Sequence, residues 1–291
     1  MPASHNPFAF RHLTGLDVRV KVVDVGANPI DGAAPYAGLV DEGSAEVVGF
    51  EPNLEALARL DAMKGPNETY LPHAVGDGGR HTLHICRQQG MSSLLTPDPA
   101  VLACFFGFPV WGEVIETREV DTVRLDDVPA TAGLDYLKID IQGGELMVFR
   151  NALARLSEAS VIHTEVEFVP LYAGQPLFSD VDQFLRAQGF VFHRFHPDVV
   201  SRIVRPLLNE NDVYAPMSQA VWADALFIRD FTRPELLTER QLLSTAKILH
   251  DCYQSFDICA RLLQEHDRRH GGRLLDTYLT GLHRAAGRQA A

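Results

Sequence analysis

The chain has 291 residues, 46% of them hydrophobic, and a formal net charge of −12. Its 26 basic residues against 38 acidic ones argue against a broad cationic surface for nucleic acid. There is no CxxC pair, no apolar signal-peptide core and no run of about 18 apolar residues, so we expect a cytoplasmic chain with free thiols, no zinc knuckle and no membrane span.

Short β-rich runs alternate with helical patterns along most of the chain. The first strands are predicted over 18–26 and 45–52, and Asn53 is a plausible N-cap of the helix that follows. Such alternation is typical of an α/β fold, a mostly parallel sheet with helices on both faces, whose ligands bind at the carboxyl ends of the strands. Further strands are predicted over 67–77, 134–142, 160–168, 190–195 and 220–230, and further helices over 143–156 and 180–189.

Two segments lie outside this alternation. Residues 80–128 form an insertion with β character, and from Pro234 onward the pattern is helical. The predicted organisation is therefore an N-terminal arm (1–17), a main domain (18–230) and a C-terminal helical extension (231–291). The leucine-rich extension has more apolar surface than an isolated helix keeps in water, so it packs on its own sheet or forms a homodimer interface.

The first candidate motif is the run VVDVGAN, in which a buried strand ends at Asp24 and a tight turn follows with Gly26 and Asn28. Asn28 replaces the second glycine of the dinucleotide pattern GxGxxG, which disfavours a nicotinamide oxidoreductase. A glycine there permits close approach of the backbone to a ligand, but the turn alone is equally typical of an ordinary strand end.

The second candidate is Glu51, which the run GFEPN places at the end of the next strand. A carboxylate at this position can accept both hydroxyls of a ribose, as acidic residues do in nucleotide-binding folds. The alternative is a carboxylate that stabilises the start of the following helix through the helix dipole.

The remaining candidates lie on two later strands. Asp140, in LKIDIQGGE, ends an apolar strand before a glycine pair, where it faces a ligand or forms an ion pair with Lys138. In HTEVE, strand alternation places His163, Glu165 and Glu167 on one face. These side chains could supply a catalytic base, bind a metal or form a solvated strand end.

These stretches, in this order, resemble the FkbM-type family of S-adenosylmethionine-dependent methyltransferases. The matching text between Val18 and Asp230 includes VVDVGAN, VVGFEPNLEAL, HAVGDGG, SSLLTPD, VDTVRLDDV, LDYLKIDIQGGELMVFRNA and HTEVEFVPLYAGQPLFSDVDQFLRAQGF. The resemblance implies a seven-stranded Rossmann-like class I methyltransferase fold with an antiparallel last strand. It also implies O-methylation of a hydroxyl on a carbohydrate, polyketide or similar small molecule, with S-adenosylmethionine as the donor.

The resemblance also assigns roles by position. It places Asp24, Gly26 and Asn28 around the methionine end of the cofactor, Glu51 on the ribose, Asp77 near the adenine and Asp140 beneath the cofactor towards the acceptor. One departure is Ile30, preceded by Pro29, where the family usually has a glycine. A branched side chain there would crowd the methionine part of the cofactor.

An alcohol is a poor nucleophile until its proton is removed, so we expect a catalytic base, Glu165 or His163, beside Asp140. A Mg²⁺-dependent version, in which Asp140 and the carboxylates of 163–167 hold the ion, is the less favoured alternative. The rival from another class is a non-catalytic scaffold subunit that binds partners through its helical extension. We expect residues 88–112 and 168–178 to line the pocket of the acceptor.

Overall fold

The computed structural model describes residues 8–28 and 32–289, with side chains through 285. Its strands are β1 (Val20–Val25), β2 (Ala45–Phe50), β3 (Glu68–Leu71), β4 (Ala74–Val75), β5 (Arg80–Cys86), β6 (Val114–Val123), β7 (Tyr136–Ile139), β8 (Val161–Glu167), β9 (Phe190–Arg202) and β10 (Gln219–Arg229). Its helices are α1 (Phe10–Thr14), α2 (Ala37–Asp41), α3 (Leu54–Met63), α4 (Pro99–Leu102), α5 (Phe108–Trp111), α6 (Glu145–Arg150), α7 (Leu153–Glu158), α8 (Phe178–Ala187), α9 (Glu239–Tyr253), α10 (Phe256–His270) and α11 (Leu274–Gln289).

The main sheet has seven strands in the order β3-β2-β1-β7-β8-β10-β9. Strand β10 is antiparallel to both of its neighbours, and the other pairs are parallel. This confirms the predicted α/β class and the Rossmann-like methyltransferase topology. The order reverses direction between β1 and β7, and at such a switch point the loops that follow the two strands diverge and leave a crevice for a ligand.

A small second sheet, in the order β4-β6-β5, stands beside the carboxyl ends of the main strands. Its strands β5 and β6 belong to the predicted insertion. Its strand β4 is the second half of the single strand predicted over 67–77, of which β3 is the first half. Pro72 follows β3 and has no N–H to continue the ladder, so the chain leaves the main sheet and joins the second sheet at β4.

The helix predicted over 143–156 is also divided, into α6 and α7. The side chain of Asn151 donates a hydrogen bond to the carbonyl of Met147, and such side-chain bonds compete with helix continuation. The carboxylate of Asp126 then accepts the N–H groups of Ala154 and Arg155 in the first turn of α7.

The C-terminal helices cover one face of the main sheet. Leu242, Leu249 and Leu262 of these helices are buried in the same cluster as Val22 and Tyr136 of the strands. Most apolar surface of the extension is therefore buried within the chain. Leu236 stays 70% exposed, and a homodimer remains a prediction. No helix in the described ranges is long and apolar enough to cross a membrane.

Candidate functional site

A cavity of about 1240 Å³ opens at the carboxyl ends of β1, β2 and β7, beneath the second sheet. Small-molecule sites commonly enclose about 300–1,000 Å³, so this cavity has room for a nucleotide-sized ligand and a second molecule beside it. One side is formed by the loops after the three strands. The other is formed by residues of the insertion and by His163, His196 and Asp224 of the main sheet.

Gly26 forms the tightest point of the cavity wall. Its φ is +80°, and a Cβ built on it would lie 2.1 Å from the carbonyl oxygen of Asp140. The N–H of Asp140 in turn donates to the carbonyl of Val25 at 3.0 Å. Only glycine permits this approach, which brings the loops after β1 and β7 together. Asn28 lines the same wall, whereas Pro29 and Ile30 lie outside the described residues.

Asp24 lies at the base of this turn and is only 3% exposed. The hydroxyl of Tyr36 donates to its Oδ2 at 2.5 Å, and Nζ of Lys138 lies 3.4 Å from its Oδ1. Burial would lower the pKa of Lys138, but the charges of Asp24 and Asp140 outweigh burial and raise it. Lys138 therefore forms its ion pair with Asp24 across the strands. Oδ1 of Asp24 is buried without a hydrogen-bond partner in the described part of the chain.

Glu51 is 5% exposed and lines the cavity directly after β2. Its Oε1 accepts the N–H of Asn53 at 2.7 Å, and Asn53 caps α3 as the sequence predicts. Burial raises the pKa of Glu51. One oxygen of this carboxylate thus serves the start of α3, while the group as a whole stays at the cavity wall.

Asp77 lies outside the cavity wall, contrary to the role that the resemblance implies. Its carboxylate accepts the N–H of Gly79 and pairs with Nε2 of His81, each at 2.8 Å. These two hydrogen bonds lower the pKa of Asp77. The carboxylate fixes the turn between β4 and β5, and His73 and Ala74, just before it, line the cavity instead.

Gln142 connects the two candidate carboxylates. Its amide Nε2 donates to Oδ1 of Asp140 at 2.8 Å and to Oε2 of Glu165 at 2.7 Å. Its φ of +60° is unusual for a residue other than glycine, and such strain is held where the surroundings determine the backbone. The hydroxyl of Ser93 donates to the backbone carbonyl of Gln142 at 2.7 Å and holds this loop from the side of the insertion.

Buried and half-buried carboxyl groups cluster behind Gln142. Glu145 is 3% exposed, and burial raises its pKa to about 7 although its Oε1 accepts the N–H of Ile141 at 2.8 Å. Burial also raises the pKa values of Glu165 and Glu167, and the nearby charge of Asp140 adds to both shifts. Glu165 lies behind Gln142 and outside the cavity wall, so the structure does not bring it to the cavity with Asp140 and His163.

His163 is buried on β8 and held at both ring nitrogens. Its Nδ1 is 2.7 Å from the hydroxyl of Tyr253, and its Nε2 is 3.3 Å from Oδ2 of Asp224 on β10. The Tyr253 hydroxyl also forms a hydrogen bond with that of Tyr136. The C-terminal extension thus contacts the site through Tyr253, the last residue of α9.

His196 lines the cavity next to His163, and the two ring centroids are 6.4 Å apart at nearly a right angle. Neither ring nitrogen of His196 has a hydrogen-bond partner within the described residues. Burial lowers its pKa, and the neighbouring His163 and Arg194 lower it further. The lowered pKa favours the neutral imidazole, whose unprotonated ring nitrogen can accept a proton.

Sequence reasoning did not single out Gln142, Asp224, Tyr253 or His196. A carboxylate within the apolar run AVWADALFIRD was a usable signal for Asp224. The predicted acceptor lining is partly wrong in the described residues. The loop around Ser93 lines the cavity, but Phe105, Phe108 and Trp111 pack with Trp222 in a separate cluster, and residues 168–178 are absent from the wall.

A family model described as "Methyltransferase FkbM domain" matches residues 24–192, which is more than half of the chain. No curated protein matches the chain. Among solved structures, precorrin-6y C5,15-methyltransferase from Geobacter metallireducens is 14% identical, with a TM-score of 0.36, over 75% of this chain and 84% of that one. The 16S rRNA (adenine(1408)-N(1))-methyltransferase from Catenulisporales acidiphilia is 12% identical, with a TM-score of 0.35, over 77% and 93%.

Proposed function

The chain belongs to the FkbM methyltransferase family, and we propose that it transfers a methyl group from S-adenosylmethionine to a hydroxyl of a small-molecule acceptor such as a glycan or a polyketide. The observation that carries the proposal is the wall formed by the Gly26 turn and Glu51. A backbone bend without side chain and a buried carboxylate occupy the ends of two adjacent strands and face one cavity.

Three features of this wall fit S-adenosylmethionine. A Cβ at Gly26 would overlap the carbonyl of Asp140, so the close backbone approach depends on glycine. Oδ1 of Asp24 is ion-paired with Nζ of Lys138 at 3.4 Å but has no hydrogen-bond partner in the described residues, so it can accept a hydrogen bond from a ligand amine. Glu51 and Asn28 line the cavity, and we assign Glu51 to the ribose hydroxyls and Asn28 to the methionine end. When bound, the cofactor supplies a methyl group on a positively charged sulfur.

His196 is the proposed base. It lines the cavity, its ring nitrogens have no partner in the described residues, and its lowered pKa keeps the imidazole neutral. A ring nitrogen of His196 would accept the proton that the acceptor hydroxyl loses when the methyl group moves from sulfur to oxygen. His163, held by Tyr253 and Asp224, fixes the polar wall beside His196, so that the acceptor is oriented in line with the methyl group.

Asp140 faces the cavity between the two halves of the site. Gln142 holds its carboxylate at a fixed position through the hydrogen bond to Oδ1. The same amide nitrogen donates to Glu165, so an N–H donor already connects the two carboxylates that a Mg²⁺ ion would have to share. We therefore favour transfer without Mg²⁺. The rate of methyl transfer should then be unchanged in excess chelator.

A thermal-shift experiment tests cofactor binding. S-adenosylhomocysteine should raise the melting temperature of the full chain, because a ligand bound only to the folded state stabilises it. Glu51→Gln should abolish most of this rise. Glu46→Gln is the matched control, since Glu46 lies on the same strand, is 63% exposed at its side chain and pairs with Lys21 away from the cavity. No rise for the unaltered chain would favour the scaffold alternative.

Transfer itself is tested with methyl-labelled S-adenosylmethionine and a panel of sugar and polyketide alcohols. We expect label in at least one acceptor, and we expect His196→Gln to remove transfer while the shift with S-adenosylhomocysteine persists. Full transfer by this variant would refute the role of His196.

A further inference from the structure

We propose a transition-metal site, separate from the cavity, where the three C-terminal helices meet. Its ligands are Glu239, the first residue of α9, and His266 and His270 in the last turns of α10. One ligand atom from each of these three side chains lies within 4.8 Å of the other two, and no other three His, Cys, Asp or Glu side chains in the described residues meet this criterion.

The donor atoms converge on one point. The Nε2 atoms of His266 and His270 are each 3.8 Å from the same oxygen, Oε1 of Glu239. The spacing of four residues places both imidazoles on one face of α10, with ring centroids 4.6 Å apart. Metal–ligand bonds of about 2.1 Å in a tetrahedron hold donors about 3.4 Å apart, so small side-chain rotations would complete the site.

Exposure permits those rotations. The side chains of Glu239 and His270 are 59% and 44% exposed, and that of His266 is 16% exposed. The two exposed ligands leave solvent access on one side, so water can take the fourth position. Such a set, with one open position, is typical of zinc bound by two imidazoles and a carboxylate.

A second observation concerns the other nitrogen of His266. Its Nδ1 is buried without a hydrogen-bond partner in the described residues, and the closest carboxylate atom is Oδ1 of Asp267 at 3.8 Å. Histidines that bind metals usually donate this second N–H to a carboxylate, which orients the ring. Asp267 also accepts the N–H groups of Leu274 and Leu275, so its carboxylate is fixed at the start of α11.

Neighbouring charges leave Glu239 available. Arg268 and Arg269 both pair with Glu265 at 2.7 Å, so these two guanidinium groups are engaged elsewhere. At 3.8 Å, the contacts between Glu239 and the two imidazoles are longer than hydrogen bonds. Two imidazole nitrogens with one carboxylate oxygen suit Zn²⁺, Ni²⁺ or Cu²⁺ and are a poor match for Mg²⁺ or Ca²⁺.

The bound ion would connect the start of α9 to the end of α10 and, through Asp267, to the start of α11. The function that we assign to it is to fasten these helices together. This inference does not depend on the proposed methyl transfer, because none of the three ligands lines the cavity.

The test is calorimetric titration of the untagged full chain with ZnCl₂, together with thermal unfolding. We expect one ion per chain and, at 100-fold excess over Kd, a rise in melting temperature of about 5 °C. His270→Gln and Glu239→Gln should each weaken binding tenfold or more. His283→Gln is the matched control, an exposed histidine on α11 whose Nδ1 bonds a backbone carbonyl of its own helix, and it should bind zinc like the unaltered chain.

Two results would overturn the proposal. The first is that zinc gives the unaltered chain neither heat of binding nor a rise in melting temperature. The second is that His270→Gln binds zinc with the same affinity as the unaltered chain. The shift with S-adenosylhomocysteine should be the same in all of these variants, so failure of the metal site is distinguishable from failure of the proposed function.

Discussion

Replacing Gly26 with alanine tests the turn on which the proposed cofactor site depends. The matched control is Gly43→Ala. Gly43 has nearly the same φ, +75° against +80°, but a Cβ there meets no atom within 4 Å. Both variants carry the cost of a left-handed alanine, about 1–2 kcal/mol. The difference between them isolates the contact with Asp140.

The size of this difference follows from the distances. A Cβ at Gly26 lies 2.1 Å from the Asp140 carbonyl oxygen, and real contacts of this kind do not fall below 3.0 Å. The loop after β7 must therefore move away by about 0.9 Å, which stretches the 3.0 Å hydrogen bond from Asp140 to Val25 beyond its range. Loss of that bond costs about 1 kcal/mol, so Gly26→Ala should destabilise the chain more than Gly43→Ala by at least that amount.

Two measurements check this prediction. Urea unfolding should give the stability difference, and titration with S-adenosylhomocysteine should show weakened binding for Gly26→Ala alone, because only this variant separates Asp140 from the turn. Equal stability and equal affinity of the two variants would show that the close approach is not needed and would refute the reasoning.

Three further predictions concern protons and the helical extension. Because burial raises the pKa of Glu145 to about 7 from an ordinary value near 4.5, the folded chain binds a proton that the unfolded chain releases, so this group lowers stability as pH rises from about 4.5 to 7. In urea unfolding, the free energy of unfolding of the unaltered chain should contain a loss of about 3 kcal/mol between pH 5 and pH 8 that Glu145→Gln removes. The same pH dependence in both chains would contradict a proton on the buried Glu145 carboxyl. Tyr253→Phe should lower methyl transfer about tenfold without changing the affinity for S-adenosylhomocysteine, because His163 loses its hydrogen-bond partner. The control Tyr278→Phe removes a similar bond to His250 within the helices and should lower stability only. Equal transfer rates in the two variants would argue against positioning by Tyr253. Transfer should stay constant as pH falls to about 6.5 and decline only below it, where His196 with its lowered pKa becomes protonated, and a decline that begins above pH 7 would contradict this assignment.

Local sequence patterns were enough to predict the sheet. The strands before the site are mostly apolar, and the turn signals after them are strong, so their positions and the carboxyl-end location of Asp24, Glu51 and Asp140 followed. Neighbouring parallel strands present their carboxyl ends at one edge, which is why Gly26 and Asp140 meet. Boundaries failed where a single side chain intervenes, as Asn151 does between α6 and α7.

The rest of the site depends on contacts that no local pattern encodes. Tyr253 is 90 residues from His163 in the chain, and only the packing of α9 on the sheet brings them together. Strand alternation correctly gives Glu165 and His163 the same face, yet Glu165 is separated from the cavity by the left-handed loop at Gln142. Asp77 bonds within its own turn in the structure, and a turn carboxylate and a ligand-binding carboxylate look alike in sequence.

The shared core of the sheet and the last helices has a consequence for biosynthesis. The ribosome makes all seven strands before it makes α9, so the nascent sheet exposes Val22 and Tyr136 until the final helices emerge. Until then His163 also lacks its hydroxyl partner. A newly made chain should therefore depend on chaperones until the final helices have emerged, and gain activity only once these helices have packed on the sheet.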